Sequence, residues 1–172
     1  MKKGPRGFSL IELLIVVAII LIIAAIAIPN LLRSRIAANQ ASAVGSLRTL
    51  NTAEVTYATT YNTGYSATLG DLGPPSGATP TPTATAAGLI DEVLSGMTAS
   101  GSQATLSSKS GYSFLYSASA TDISGKINIY GITATPISVG TTGTNYYFTD
   151  QSGVIRQNST TVAGSTDSPL AG

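Results

Sequence analysis

Glu12 is a carboxylate within an apolar run that extends from Phe8 to Ile28 and is otherwise interrupted only by Ser9. A charged side chain near the centre of a bilayer costs roughly 2.5–3.5 kcal/mol on insertion scales, so it is rarely kept without a partner. Glu12 lies nearer one end of the run, which lowers this cost without removing it. The position therefore predicts a cation supplied by another group. The alternative is a side chain that snorkels to the interface and has no function.

Groups that catalyse reactions are sparse in the rest of the chain. Cysteine and histidine are both absent, and the eight carboxylates are scattered. The commonest general base, the commonest metal ligands and any disulfide are therefore missing. The net charge of +1 provides no dense basic face for nucleic acid. These features predict a protein that is not an enzyme, has no cofactor or metal, and binds no nucleic acid through a recognisable site.

The apolar run has the length of a membrane-spanning helix. Its 21 residues extend about 31 Å at about 1.5 Å per residue, close to the roughly 30 Å of a bilayer core. Three basic residues precede the run and favour a cytoplasmic N-terminus, although two arginines follow it. A simple membrane anchor is one alternative. Another is a secretory signal peptide cleaved after Ala27, which would release a soluble exported binding protein.

The segment from Gly7 to Ala18, GFSLIELLIVVA, resembles the N-terminus of type IV prepilins and type II secretion pseudopilins. That family has a short basic leader ending in glycine, then a phenylalanine, and a glutamate four residues later. The sequence AAIAIPN at 24–30 continues the match, so the resemblance covers residues 1–35 closely and the remainder in outline. Where the family usually has a glycine that starts a segment prone to unwinding, this chain has Leu21.

The resemblance implies a prepilin peptidase that cuts between Gly7 and Phe8 and then N-methylates the new amine of Phe8. Gly7 has no Cβ, which lets a protease approach the backbone closely. Cleavage creates an α-amino cation, and methylation keeps its charge. Phe8 of one subunit and Glu12 of a neighbour would then pair, which sets register more than stability. Pro29 predicts a kink or local melting between residues 25 and 29.

The same resemblance implies a structural subunit that assembles into a helical homo-oligomer. Its precursor would be a single-pass inner-membrane protein with a cytoplasmic N-terminus. A pilus assembly machinery would then move it into a filament on the cell surface, serving adhesion, twitching motility or DNA uptake. The alternative within the family is a pseudopilin of a type II protein secretion system, because its leader and helix are the same.

The whole chain is predicted to adopt an α+β type IV pilin fold. A long N-terminal helix would pack its outer half on a 3–4-stranded antiparallel β-sheet, with an exposed αβ-loop between them. The predicted divisions are the leader at 1–7, the helix at 8–61 with its transmembrane and filament-core part at 8–28, and the globular head at 62–172. The head divides into a variable loop with a short helix at 62–111, the sheet at 112–158 and a loose tail at 159–172.

Helical spacing predicts which side of the long helix faces the head. Apolar residues recur at intervals of three, four and seven after residue 43: Val44, Leu47, Leu50, Tyr57, Ala58 and Tyr61. The charged residues in the part of the helix after residue 30 are predicted to be solvated or to lie in subunit contacts: Arg33, Arg35, Arg48 and Glu54.

Shorter patterns predict the elements of the head. Spacing over 89–97 indicates a short helix, with Asp91 and Glu92 on its solvent face rather than in a metal site. Strands are predicted at 112–116, 126–133, 145–149 and 154–156, with a hairpin turn at 150–153. Asp150 lacks acidic neighbours, so it is not expected to bind calcium.

Overall fold

The structure of the chain, a computed structural model, describes residues 7–75, 81–96 and 105–170. Most of the leader, parts of the variable loop and Met97 lie outside the described residues. Contacts divide the chain into two compact units, Met1–Arg35 and Ile36–Gly172. The elements in chain order are α1 (Leu10–Tyr61), α2 (Leu69–Leu72), α3 (Glu92–Ser95), β1 (Leu106–Lys109), β2 (Tyr112–Ala118), β3 (Tyr130–Pro136), β4 (Tyr146–Asp150) and β5 (Arg156–Asn158). The predicted α+β class is confirmed.

Helix α1 is unbroken at every residue from Leu10 to Tyr61, and Pro29 lies inside it. Pro29 has no N–H, so it cannot donate the bond that an ordinary residue makes to the carbonyl four residues earlier. The neighbouring turns nevertheless keep their helical conformation. The helix shows no local melting between residues 25 and 29 in this structure. The kink at Pro29 stays a prediction.

The sheet has five antiparallel strands in the order β1-β2-β3-β4-β5, rather than three or four. The added strand is β1, which lies in the segment predicted to be the variable loop. A two-residue turn joins it to β2, with Ser110 at a φ of 50° and Gly111 at 75°. Both positive values match the turn that fits the twist of a hairpin. Sequence patterns missed β1 because Ser-Ser-Lys is a weak strand former on its own.

Strand β3 begins at Tyr130, four residues later than predicted. Asp122 is the reason, since its carboxylate holds the preceding segment in a loop. It accepts hydrogen bonds from the amides of Ser124 at 2.8 Å and Lys126 at 3.0 Å, and from Asn128 Nδ2 at 2.6 Å. These bonds compete with strand pairing over 124–128.

The core of the head lies between one face of α1 and one face of the sheet. Val44, Leu47, Leu50 and Tyr57 are buried, as the helical spacing predicts. Alternate strand residues meet them because side chains alternate across a strand. The buried strand residues are Ser107 on β1, Tyr112, Phe114 and Tyr116 on β2, Tyr130, Ile132, Ala134 and Pro136 on β3, and Tyr147 and Thr149 on β4.

Glu54 belongs to this buried face, so its prediction as a solvated charge is wrong. Its side chain is completely buried. Oε2 accepts the Ser66 amide at 2.9 Å and Oε1 accepts the Ser66 hydroxyl at 2.6 Å. The Tyr116 hydroxyl donates to the Ser66 carbonyl at 2.7 Å. Glu54 follows Leu50 by four residues and precedes Tyr57 by three, and that spacing already placed it on the apolar face.

Two short helices stand in the described part of the segment between α1 and β1. Thr68 and Asp71 form a reciprocal capping box around α2. Asp91 caps α3 by accepting the Leu94 amide at 2.6 Å, and it also pairs with Lys109 Nζ at 2.5 Å. Glu92 is exposed. Asp91 therefore caps α3 and pairs with Lys109 while its side chain stays partly exposed to solvent.

The C-terminal segment is docked on the sheet over residues 159–170, which corrects the prediction of a loose tail. The Leu170 amide donates to the Ile155 carbonyl at 2.8 Å, and Ala163 is buried. Asp167 accepts Asn158 Nδ2 at 2.9 Å. This segment covers the open edge of β5, so its backbone bonds compensate for its low apolar content.

Replacement of Gly64 by alanine is expected to lower the free energy of unfolding by about 2–3 kcal/mol. Gly64 has a φ of 80°, and an added Cβ would lie 2.2 Å from the Ile127 carbonyl oxygen. Gly153→Ala is the matched control, since its φ is 73° but nothing lies within 4 Å. It should cost only about 1 kcal/mol. Denaturant unfolding of the full chain in detergent, followed by tyrosine fluorescence, measures both. Equal losses would contradict the steric argument.

Candidate assembly and processing site

The start of α1 is organised by Ser9 and Glu12. The Leu13 amide donates to the Ser9 carbonyl at 3.2 Å, which is the first bond of the helix. The Glu12 carboxylate turns back and accepts the Ser9 amide through Oε2 at 2.9 Å. Ser9 is thus the N-terminal cap and Glu12 the third helical residue, an arrangement that forms half of a capping box.

This geometry gives Glu12 a local partner in addition to the cation expected from another group. An anion in the first turn is also favoured by the helix dipole, by about 0.3–1 kcal/mol. The pattern Ser-x-x-Glu immediately before an apolar run is the sequence signature of such a cap. The signature therefore already indicated a local partner for Glu12, which the prediction of an outside cation did not include. Oε1 forms no hydrogen bond within the described residues.

The predicted cleavage position, between Gly7 and Phe8, precedes the first helical residue. Both residues are exposed, Phe8 with 73% of its surface accessible. A Cβ added to Gly7 would meet nothing within 4 Å. Exposed, non-helical backbone with small residues is the preferred substrate of proteases. Glu12 Oε2 reaches the amide directly after Phe8, so the carboxylate lies near the amine that cleavage there would create.

The apolar residues that follow Glu12 cover every side of the helix and are exposed in the unit Met1–Arg35. Leu14, Leu21 and Ile28 each expose more than 60% of their surface. Helix α1 is the one helix in the described chain long and apolar enough to cross a membrane. A patch of this size has to be covered by lipid or by other protein. Leu21 lies within the intact helix.

The other predicted site residues are dispersed. Arg33, Arg35 and Arg48 are exposed, and none of them forms an ion pair within the described residues. Asp150 Oδ1 accepts the amide of Ser152 at 2.9 Å and its hydroxyl at 2.5 Å. Asp150 is therefore engaged in the predicted hairpin turn, which Gly153 closes by donating to the Asp150 carbonyl at 2.9 Å.

Comparisons with known proteins match short parts of this chain. The family described as Prokaryotic N-terminal methylation motif matches residues 2–28. The Type IV major pilin protein PilA of Myxococcus xanthus is 52% identical over 52 residues, which are 30% of this chain and 24% of that protein. The Type IV wide pilus major component PilA4 of Thermus thermophilus is 62% identical over 37 residues, which are 22% of this chain and 28% of that protein.

Each of these matches covers less than a third of this chain. The chain spans about a quarter of the length of the curated relatives it matches. No solved structure matches it significantly. The fold of the head is established by its described helices and antiparallel sheet, which agree with a type IV pilin architecture. The chain thus carries the prokaryotic N-terminal methylation motif in its N-terminal segment, is similar over part of its length to proteins named as type IV pilins, and has a long apolar helix and an α+β head consistent with the type IV pilin fold.

Proposed function

We propose that this chain is the structural subunit of a type IV pilus. The proposal rests on the N-terminus of α1. There the Glu12 carboxylate and an exposed Gly7-Phe8 junction lie at the beginning of a helix whose apolar side chains are exposed. Both curated relatives bear the names of pilus components, which favours a pilus over the alternative of a type II secretion pseudopilin.

Leader removal by a prepilin peptidase is the first step of the proposed mechanism. Cleavage between Gly7 and Phe8 removes the basic leader and leaves a free α-amino group on Phe8. N-methylation of this amine keeps its positive charge while adding a methyl group. The new cation would add a charged partner to the Ser9 amide that Glu12 already accepts.

Pairing between subunits is the second step. Phe8 and Glu12 are separated by four residues, which correspond to about 6 Å along a helix axis. A pair made between neighbours therefore requires a defined axial stagger of their helices. Desolvation offsets much of the attraction between the two charges, so the pair selects register rather than adding much stability. Glu12 Oε1, which forms no hydrogen bond within the described residues, is available to accept the amine.

Burial of the apolar helices drives the third step. In the membrane these side chains face lipid, and in the filament they face the helices of other subunits. Head-to-tail contacts that do not close into a ring build an open helical fibre. A pilus assembly machinery would supply the energy for extraction from the inner membrane. The surface fibre would then serve adhesion, twitching motility or DNA uptake.

The mature N-terminus tests this proposal directly. Mass spectrometry of the chain from sheared surface fibres is expected to show a first residue of Phe8 carrying one added methyl group. A chain that begins at Ile28 would overturn the proposal in favour of a cleaved signal peptide. Recovery of the chain in long sheared fibres supports a pilus, whereas its restriction to the membrane fraction of cells with an intact secretion system supports the pseudopilin alternative.

Gly7→Val is expected to prevent leader removal. The β-branched side chain would occupy the open space beside the scissile bond and keep the peptidase from the backbone. We expect at least a tenfold slower cleavage, corresponding to about 1.4 kcal/mol in the activation free energy. Immunoblots of pulse-labelled cells measure precursor and mature chain. Gly4→Val, the same change within the leader, is the control and should be processed normally. Normal processing of Gly7→Val would contradict this role of Gly7.

A further inference from the structure

Ile123 is the most exposed large apolar residue of the described chain. Its relative accessibility is 108%, against 37–79% for the other exposed ones. It lies in the loop between β2 and β3, within the unit Ile36–Gly172. A single exposed apolar residue is unremarkable on a flexible loop. On a rigid loop it is suited to bind a partner, because little conformational entropy is lost on docking.

The loop around Ile123 is held by several hydrogen bonds. Asp122 accepts bonds from Ser124, Lys126 and Asn128, and the Asp122 amide donates to the Lys126 carbonyl at 2.8 Å. Lys126 Nζ donates to Asn62 Oδ1 at 2.9 Å, which ties the loop to the end of α1. Ile123 is therefore presented in a defined position.

A groove of about 330 Å³ lies elsewhere on the same unit, along the outer side of α1. Its lining residues are Arg48, Thr49, Thr52, Ala53, Thr56 and Leu89. The threonine hydroxyls donate to carbonyls of their own helix, at 3.1 Å for Thr49, 3.0 Å for Thr52 and 2.8 Å for Thr56. Contact with an apolar side chain would therefore leave no hydroxyl donor unpaired in this groove.

The two surfaces also have complementary charges. Arg48 borders the groove, is exposed and forms no ion pair within the described residues. Asp122 stands directly before Ile123. The hydrogen bond from the Ser124 hydroxyl, with those from the Lys126 amide and Asn128, lowers the pKa of Asp122 below its ordinary value. Asp122 therefore carries a negative charge at neutral pH.

We propose that Ile123 of one subunit docks in the α1 groove of a second copy of this chain, with Asp122 facing Arg48. The inference rests on the proposed filament function and names one contact between its heads. Because the apolar residue and the groove are different patches of the same chain, their contact is heterologous. Contacts of this type propagate into open helical fibres, whereas a self-complementary patch would give closed dimers. The complementary charges favour one orientation of the docked loop.

Cysteine cross-linking tests this contact without background, since the natural chain has no cysteine. The full-length variant Ile123→Cys with Thr52→Cys is assembled into fibres, sheared and exposed to a mild oxidant. We expect a ladder of dimers and higher oligomers on non-reducing gels that disappears with reductant. Either substitution alone should give no ladder, because a heterologous contact does not bring a residue against its own copy.

A matched control pairs Thr52→Cys with Val162→Cys, because Val162 is also apolar and exposed, at 57%, but lies in the C-terminal segment. Fibres of normal yield in which the Ile123 pair cross-links no better than this control would overturn the inference and leave the proposed pilus function standing. Failure of the wild-type chain to form fibres would instead overturn the proposed function.

A charge variant provides a second readout if the cysteine pair reduces fibre yield. Arg48→Glu places like charges at the contact and is expected to lower the recovered fibres about fivefold or more, whereas Arg48→Lys should retain most of them. Arg48 is exposed, so neither change should disturb the fold of the head. Unchanged yield from Arg48→Glu would count against the contact.

Discussion

Replacement of Glu12 by alanine is expected to leave leader removal intact and to abolish recoverable surface fibres. The peptidase acts between Gly7 and Phe8, and Glu12 lies beyond that junction. Assembly is different, because the alanine variant offers no acceptor for the methylated amine of a neighbour. Since register depends on that pair in the proposed mechanism, subunits would remain processed in the membrane. Immunoblots of sheared and cell-bound fractions measure both steps.

The hydrogen bond between Glu12 and the Ser9 amide provides a competing explanation that a second variant separates. Glu12→Gln keeps an oxygen that can accept the Ser9 amide at 2.9 Å, but it removes the negative charge. If charge pairing sets register, the glutamine variant fails to assemble as the alanine variant does. Normal fibres from Glu12→Gln would show that the cap, rather than the charge, is what assembly requires.

Glu54→Ala is expected to reduce the free energy of unfolding of the head by about 3–5 kcal/mol. The substitution leaves the Ser66 amide and hydroxyl without their buried acceptor and opens a cavity between α1 and β2. Glu54→Gln should cost no more than about 1 kcal/mol, because its amide can accept from the Ser66 amide and donate to the rotated hydroxyl. Denaturant titration of the detergent-solubilised full chain, read by tyrosine fluorescence, compares the two. A loss below about 1 kcal/mol for Glu54→Ala would contradict this role.

The ionisation of Glu54 should also make the stability of the head depend on pH. Burial raises the pKa of Glu54 above its ordinary 4.5, although the bonds from Ser66 and Tyr116 lower it in part and the Asp71 carboxylate raises it further. The folded state thus binds a proton more tightly than the unfolded state. The stability that the head gains from binding this proton at Glu54 is complete below pH 4.5. It is lost as the pH rises through the pKa that Glu54 has in the folded state.

The same titration in Glu54→Gln is the control for this pH effect. Asp91 and Asp122 have pKa values lowered below 3.8, so their contributions are lost only at more acidic pH. Between pH 4.5 and pH 8 the wild-type head is therefore expected to lose stability, while Glu54→Gln shows a flatter profile. Parallel profiles for the two chains would show that Glu54 does not titrate in this range.

Local patterns in the sequence were sufficient to predict the elements whose formation depends on residues close to them in the chain. The apolar run, the spacing of Leu47, Leu50 and Tyr57, and the stop after Tyr61 predicted α1 and its buried face. The turn at 150–153 was predicted for the same reason, since its geometry depends on Asp150 and Gly153 within four residues. The Gly7-Phe8-Glu12 pattern belongs to this class as well, and it indicated the family that the comparisons support.

Long-range contacts decided what the sequence patterns missed. Strand β1 forms because β2 provides a partner, and residues 159–170 are ordered because β5 presents an open edge. Ile123 and the α1 groove were likewise recognised only once exposure and lining residues were known.

Glu12 and Glu54 show most clearly which features the sequence reveals and which depend on contacts between distant segments. Glu12 stands out in the sequence because its neighbours along the chain are apolar, whatever the fold. Glu54 lies between Ala53 and Val55 in a stretch that also contains polar residues. Its spacing places it on the apolar face of α1, but the contacts with Ser66 and Tyr116 from distant segments make it a buried, hydrogen-bonded carboxylate. The free energy of a charge depends on everything within a few ångströms. The sequence shows the environment of a charge when the groups around it are near in the chain. The tertiary structure decides that environment when the groups come from distant segments.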